Sequence, residues 1–141
     1  MYLLQWTWGI VQNLIGFLLM LFIRNKTLHH FYGTVIVEYH ASKLLKNASA
    51  FALGMFIFCK DTDEEMKRYL LTHEYGHTIQ SILYGPLFLP IVGICSVRWS
   101  LVYSKNREIL NASKIFYAHK YPERQANYWG ERFLGHQGIY W

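Results

Sequence analysis

Cysteine, proline and charge are all scarce in this sequence, and each shortage excludes a class of protein. The chain has 2 cysteines, 3 prolines and 16% charged residues, whereas soluble domains average about 25% charged residues. Two cysteines exclude a disulfide scaffold and a multi-cysteine zinc finger. A hydrophobic content of 52% excludes disorder as the main state, because such a chain can bury a core. A length of 141 residues predicts a single folded domain.

Positive charge prevails in the sequence but is not concentrated. There are 14 Lys and Arg against 9 Asp and Glu, which gives a formal net charge of +5. The basic residues are scattered, without a Lys/Arg-rich block or the signature of a nucleic-acid-binding module. Nucleic acid is therefore not an expected partner. A mostly apolar chain with a modest positive charge instead favours contact with a membrane.

The N-terminal segment, residues 1–23, contains no Asp, Glu, Lys or Arg. A membrane-crossing helix needs about 20 mostly apolar residues, and Trp6 and Trp8 belong to a residue type that favours the membrane interface. A cleavable signal peptide is not expected, because a positive n-region and a small-residue cleavage site are both missing. These features predict an uncleaved transmembrane anchor over residues 1–23.

Arg24 directly follows this apolar segment. By the positive-inside rule, it predicts that residues 24–141 form the folded domain on the cytoplasmic side of the membrane. Membrane lipid is therefore a predicted partner, and a protein partner in the membrane is another. Gln12 and Asn13 in the apolar segment keep an alternative open, in which a long apolar helix packs on the domain.

A second apolar stretch covers residues 86–103 and contains Arg98. It is a borderline length for a membrane span. An arginine inside a span is costly unless it is paired or reaches the interface. The stretch therefore also fits a re-entrant or interfacial hairpin, or a buried core helix.

Two strands are predicted from residue type. Residues 34–39 are β-branched and aromatic and follow Gly33, which predicts a short strand. Residues 48–59 form a second candidate strand, with Gly54 as a possible bulge.

The ends of two helices are marked in the sequence. Thr62 and Glu65 form a capping-box pattern that starts a helix, and Gly85 predicts where it stops. Pro122 suits the first position of another helix, which would continue to Gly135. The expected fold is α+β and mostly helical. An N-terminal apolar helix precedes short strands, the first of these helices, an apolar hairpin or helix, and the C-terminal helix.

Residues 73–77 read His-Glu-Tyr-Gly-His inside the first predicted helix. Residues four apart share a helix face, so His73 and His77 can bind the same metal ion. Glu74 lies beside them and can reach a water at the metal rather than the metal itself. Two histidines and a carboxylate that takes a proton from this water are the zincin arrangement. Glu74 is therefore the candidate catalytic base.

A catalytic zinc needs a third protein ligand and one open position. Gln80 and Leu83 stand where the metzincin motif requires Gly and His, which excludes that class. Site-2 proteases carry their third ligand in a downstream aspartate motif, and no Asp follows Asp63. Candidates for a further ligand are Glu123, His119, Glu131 and Cys59.

The chain resembles the gluzincin family of HExxH metallopeptidases in two segments, His73–His77 and the stretch Glu-Arg-Gln-Ala-Asn at residues 123–127. In that family the third ligand is a glutamate, and an aspartate four residues later orients the first histidine. The resemblance implies that Glu123 is the third ligand and that position 127 supports His73. Asn127 replaces the aspartate, and its carbonyl oxygen can accept the same hydrogen bond without a charge. The motif helix also resembles small bacterial membrane proteins of unknown function.

This resemblance implies a membrane-associated zinc metallopeptidase with one Zn²⁺ per chain, held by His73, His77 and Glu123. Glu74 would take a proton from water and pass it to the leaving amine. An extended peptide substrate would pair with the strand predicted at residues 48–59. Candidate residues for holding the oxyanion, or for alternative ligation, are His119, Tyr121, Tyr128, Tyr117 and His136.

A different class of function fits the same residues. In a non-catalytic membrane or scaffold protein, the metal would only tie helices together, or no metal would bind. Structural zinc sites are closed by four protein ligands and are usually rich in cysteine. Cys59, which precedes the motif helix, could close such a site.

Overall fold

The structure is a computed structural model that describes residues 2–40, 45 and 48–140, apart from the side chain of Tyr2. It is a mixed α+β fold, mostly helical, with one four-stranded sheet, as the sequence predicted. The strands are β1 (Lys26–Phe31), β2 (Thr34–Tyr39), β3 (Ala50–Leu53) and β4 (Phe56–Lys60). The helices are α1 (Tyr2–Thr7), α2 (Ile10–Phe22), α3 (Glu64–Tyr84), α4 (Ile94–Lys105), α5 (Arg107–Ala112) and α6 (Glu123–Leu134).

The sheet has the strand order β1-β2-β4-β3. The central strands β2 and β4 are parallel, and each outer strand is antiparallel to its neighbour. The sheet has a core on both faces, because successive side chains of a strand point to opposite sides. Ile36 and Ile57 pack with Tyr75 of α3, whereas Val37 and Phe58 belong to a second cluster.

The strand predicted at residues 34–39 is confirmed as β2, but the one predicted at residues 48–59 is a hairpin of β3 and β4. Gly54 has a φ of 62° and lies in the turn between these strands, so it is not a bulge. A side chain there would also collide with Asn13. The sequence did not reveal β1, because its residues are mostly exposed and lack an alternating pattern.

The predicted single helix over residues 1–23 is two helices, α1 and α2, separated at Trp8 and Gly9. Both helices dock on the domain through buried polar side chains. Gln5 donates to the Thr78 carbonyl oxygen at 3.2 Å, and Gln12 donates to Ser81 Oγ at 3.0 Å. The packing that Gln12 and Asn13 indicated is therefore present.

Among the described residues, no single helix has both the length and the apolar composition required to cross a membrane. One bent pair meets both criteria when its two parts are taken together. It joins Glu64–Leu87 to Leu89–Lys105 at an angle of 119°. The apolar stretch at residues 86–103 is thus a sharp bend followed by α4.

Local caps set the ends of α3. The helix begins after Asp63, whose side chain accepts a hydrogen bond from the Met66 backbone N–H at 2.9 Å. The predicted cap at Thr62 is therefore wrong by one residue. The predicted end is confirmed, because Gly85 follows the last helical residue with a φ of 53°.

Two glycines allow α6 to pack closely against α3. A Cβ on Gly76 of α3 would collide with the Ala126 backbone, and a Cβ on Gly130 of α6 would collide with the Thr72 backbone. The helix predicted to begin at Pro122 begins one residue later, at Glu123, and it ends as predicted before Gly135, which has the left-handed conformation. This close crossing brings the start of α6 over the middle of α3.

Candidate metal centre

The crossing of α3 and α6 assembles three candidate ligands in one buried place. His73 and His77 lie four residues apart on α3, and Glu123 is the first residue of α6. Glu123 Oε2 lies 2.9 Å from His73 Nε2 and 3.3 Å from His77 Nε2. The ligand atoms of the three residues all lie within 4.8 Å of one another, so this group could hold a metal ion.

The other ring nitrogen of each histidine is held by an amide oxygen. His73 Nδ1 lies 2.8 Å from Asn127 Oδ1, and His77 Nδ1 lies 2.7 Å from Gln80 Oε1. An amide oxygen only accepts hydrogen bonds, so each Nδ1 carries the proton and donates. The Nε2 atoms of both rings therefore face Glu123 and are the atoms available to a metal ion.

Backbone contacts determine the orientation of these two amides. Asn127 Oδ1 also accepts from the Ile139 backbone N–H at 3.1 Å, and Asn127 Nδ2 donates to the Ile139 carbonyl. Gln80 Nε2 donates to the Pro122 carbonyl at 3.1 Å. A flipped amide would place like groups against each other at these contacts. The chain itself thus selects the histidine tautomers that bind a metal through Nε2.

The converging atoms form a site for a cation. Glu123 is fully buried, and its Oε1 has no hydrogen-bond partner among the described residues. Burial opposes ionisation of this carboxyl, but the imidazoles of His77 and His73 outweigh it and lower the Glu123 pKa. A buried carboxylate oxygen and two imidazole nitrogens that converge on one place are a typical ligand set for a divalent metal ion. The residues present therefore fit a divalent metal ion.

Glu74 lies beside this cluster in a different environment. It is 5% exposed and accepts a hydrogen bond from the backbone of Ala52 in the edge strand β3. Its Oε2 has no hydrogen-bond partner among the described residues. Burial, followed by the charge of Glu123, raises the pKa of Glu74 to about 7 against the attraction of His73. This carboxyl can therefore exchange a proton near neutral pH.

The remaining predicted residues lie outside the cluster. His119, Tyr121 and Tyr128 are exposed and line an open groove together with Arg124. Glu131 accepts hydrogen bonds from the C-terminal tail. His136 is exposed. Cys59 is buried in β4 and is not among the clustered ligands.

Tyr117, one of several candidates from the sequence, lies next to the cluster. Its ring centroid is 6.3 Å from that of His73. Burial, followed by the charges of Glu123 and Glu74, raises the Tyr117 pKa. The phenol therefore stays protonated at neutral pH, and its hydroxyl interacts with the side chains of Ser96 and Glu123 at the edge of the site.

Sequence reasoning missed two residues of this arrangement. Gln80 was considered only as a departure from another motif, although its position three residues after His77 places it on the same side of the helix. Ile139 acts through its backbone, so its residue type carried no signal.

No protein-family model matches the chain, and no curated protein or solved structure matches it significantly.

Proposed function

We propose that this chain is a zinc-dependent hydrolase that cleaves peptide bonds. One observation carries the proposal: the His73, His77 and Glu123 ligand atoms converge beside a buried Glu74 that has one oxygen without a hydrogen-bond partner. Three protein ligands leave a further coordination position open, which is typical of catalytic rather than structural zinc sites. Two imidazoles and one carboxylate suit Zn²⁺ among the common metals.

When bound, the metal would supply Lewis-acid chemistry, polarising a carbonyl oxygen and lowering the pKa of water. The chain supplies the ligands in the required state without rearrangement, because Asn127 and Gln80 already hold both rings by Nδ1. Such preset orientation strengthens a metal site and improves its selectivity.

Glu74 is the proposed general base. Its hydrogen bond to Ala52 orients one carboxylate oxygen and leaves Oε2 to accept a proton from the attacking water. The same carboxyl then donates this proton to the amine that leaves. In the metal-free protein burial raises the pKa of this carboxyl to about 7, and a nearby cation would lower it towards the ionised form that a base requires.

Tyr117 is the proposed donor to the oxyanion. Its phenol lies beside His73 and stays protonated. A neutral donor at the edge of a buried site stabilises negative charge that develops on the substrate oxygen. His119, Tyr121 and Tyr128 are exposed and have no role in the proposed reaction.

The edge strand β3 is the proposed binding site for the peptide backbone. It pairs with β4 on one side only, among the described residues. The Lys60 backbone N–H donates to the Ser49 carbonyl, so alternation in the antiparallel pair directs the polar groups of Ala50 and the carbonyl of Ala52 away from β4, while the Ala52 N–H donates to Glu74. An extended peptide can add to this edge next to Glu74.

The transmembrane anchor and the cytoplasmic location of the domain, which were predicted from residues 1–24, stay predictions.

Metal analysis and peptide cleavage test the proposal together. We expect about one zinc per chain in the wild type and its loss in His77→Ala and Glu123→Gln, because each removes a ligand. Glu74→Gln should retain the metal and lower the cleavage rate about 100- to 10,000-fold, since only the base is lost. Glu65→Gln, an exposed position on the same helix, is the matched control and should behave as the wild type.

Other outcomes would contradict the proposal. A wild type that binds no zinc after reconstitution excludes the hydrolase. A protein that binds zinc but cleaves a peptide library no faster than Glu74→Gln is the non-catalytic scaffold. Metal lost on Cys59→Ala would indicate a closed structural site.

A further inference from the structure

Helices α1 and α2 bury their amide side chains and expose most of their apolar ones. The buried positions are Gln5, Gly9, Gln12, Asn13 and Gly16, which recur at helical spacing along one face. Gln5, Gln12 and Asn13 are fully buried and hydrogen-bonded. The opposite face is apolar, and its members include Leu3, Ile10, Leu14, Leu18, Leu21 and Phe22, which are 43% to 83% exposed.

This arrangement is unfavourable in water. Burying one large apolar side chain stabilises a folded protein by about 1.5–3 kcal/mol. The exposed apolar side chains of α1 and α2 do not contribute this free energy. Large apolar side chains that are exposed together along two helices mark an interaction site. Polar groups satisfied inside and apolar groups facing outwards are the arrangement that a lipid environment favours.

Further exposed apolar residues follow Gly85, which lies against α2. Gln12 Nε2 donates to the Gly85 carbonyl at 3.0 Å, and a side chain at Gly85 would collide with Trp8. The chain then enters the bend before α4, where Leu87 is 58% exposed. On α4 the exposed apolar residues Ile94, Val97 and Leu101 share one face of the helix. We name the exposed apolar residues of α1, α2, the bend and α4 the apolar face.

Charge around the apolar face favours an anionic membrane over a protein partner. Residues 1–23 carry no charge, and residues 75–107 contain no Asp or Glu. Arg24 and Lys26 follow the first segment, and the charged residues within the second are all basic: Arg98, Lys105 and Arg107. Basic residues beside an apolar surface bind anionic headgroups while the apolar side chains enter the acyl region.

We infer that the apolar face of α1, α2 and α4 inserts into a lipid bilayer and that the basic residues bind its anionic headgroups. Gln12 of α2 donates a hydrogen bond to Ser81, which lies four residues after His77 on α3. The buried amides therefore hold the inserted helices against the helix that carries the candidate histidine ligands. The inference is independent of catalysis, because lipid binding requires neither the metal nor Glu74.

Vesicle flotation tests the inference with the full-length protein. Purified protein is mixed with phosphatidylcholine vesicles, with and without phosphatidylglycerol, and separated by density. We expect the wild type to float, more strongly with phosphatidylglycerol and less strongly at high salt. The triple variant Leu14→Ser, Leu18→Ser and Leu21→Ser should partition at least about tenfold less, because three apolar side chains are lost.

The matched control places the same kind of substitution elsewhere. Leu28, Ile109 and Phe133 are 50%, 70% and 57% exposed and lie outside the apolar face. Their combined change to Ser should leave flotation unchanged. Equal loss in both triple variants would overturn the inference, as would a wild type that stays unbound or that forms a detergent-free dimer covering this face.

A second measurement needs no change to the apolar face. Vesicles with brominated acyl chains should quench the tryptophan fluorescence of the wild type more than that of Trp6→Phe, since Trp6 is exposed on α1. Equal quenching in the two proteins would place α1 outside the acyl region and overturn the inference. Metal content measured on every variant separates the two proposals, because loss of flotation with the metal retained leaves the proposed hydrolase untouched.

Discussion

At the scale of single residues, Asn127 both accepts and donates hydrogen bonds, whereas an ionised aspartate in its place could only accept them. Its Oδ1 accepts from His73 Nδ1 and from the Ile139 backbone N–H. Its Nδ2 donates to the Ile139 carbonyl, which requires an amide. The side chain therefore links a ligand of the candidate metal centre to the C-terminal tail. This link gives a physical reason for the departure from the gluzincin pattern.

We expect Asn127→Asp to lower the free energy of unfolding of the metal-free protein by about 1–3 kcal/mol, because a second oxygen would face the Ile139 carbonyl. Denaturant unfolding measures the loss, and amide exchange at Ile139 should become faster. Asn25→Asp, at an exposed position, is the control. Slow exchange at Ile139 in the Asp variant would contradict this account.

At the scale of elements, the crossing of α3 and α6 positions the candidate ligands, and it depends on the absence of side chains. Gly76 lies inside the histidine motif and packs against the backbone at Ala126, while Gly130 packs against Thr72. Each contact leaves no room for a methyl group. The glycine in the motif is thus a packing requirement of the helix pair.

We expect Gly76→Ala to destabilise the protein by about 1–3 kcal/mol or more and to weaken metal binding, because α6 must move away from α3. In an isolated helix the same change would be stabilising, by about 1 kcal/mol. Gly93→Ala is the control, since the nearest atom to its Cβ would be 3.6 Å away. Thermal unfolding measures the stability of both variants, and zinc titration measures their metal affinity. A Gly76→Ala protein that is more stable than the wild type would contradict the close packing.

At the scale of the whole molecule, the buried carboxyl of Glu74 should make stability depend on pH. Its pKa in the folded, metal-free protein is about 7, against 4.5 for a free carboxyl. A raised pKa contributes stability that is complete below the unfolded value and is lost as pH rises through the folded value. Unfolding in the presence of a chelator should therefore become easier by about 3 kcal/mol from about pH 5 to above pH 7.

Glu74→Gln removes the titrating group while keeping its shape. This variant should lose most of the decline in stability across the same pH range, whereas the exposed Glu65→Gln should keep it. A wild type whose stability stays constant or rises from about pH 5 to pH 7 would contradict this prediction, because the lowered pKa of Glu123 acts in the opposite direction only below about pH 5.

What the sequence determined by itself was local. The ends of α3 and α6 follow from Gly85 and Pro122, because turn and cap preferences act within a few residues. The spacing of His73 and His77 on one helix face is equally local. The resemblance to the gluzincins added Glu123 and Asn127, the candidate third ligand and the support of His73.

Tertiary structure decided the features that depend on contacts between distant segments. Asn13 Oδ1 accepts a hydrogen bond from the Met55 backbone N–H at the turn of the hairpin that residues 48–59 form, and Gln80 and Ile139 reach the candidate metal centre through the folding of α6 and the tail. The direction in which the apolar face points also depends on contacts between distant segments. Composition showed that residues 1–23 are apolar, but only the docking of Gln5 and Gln12 on α3 determines which side faces outwards. Hydrogen bonds between residues more than 60 positions apart leave no periodic trace that a sequence pattern can reveal.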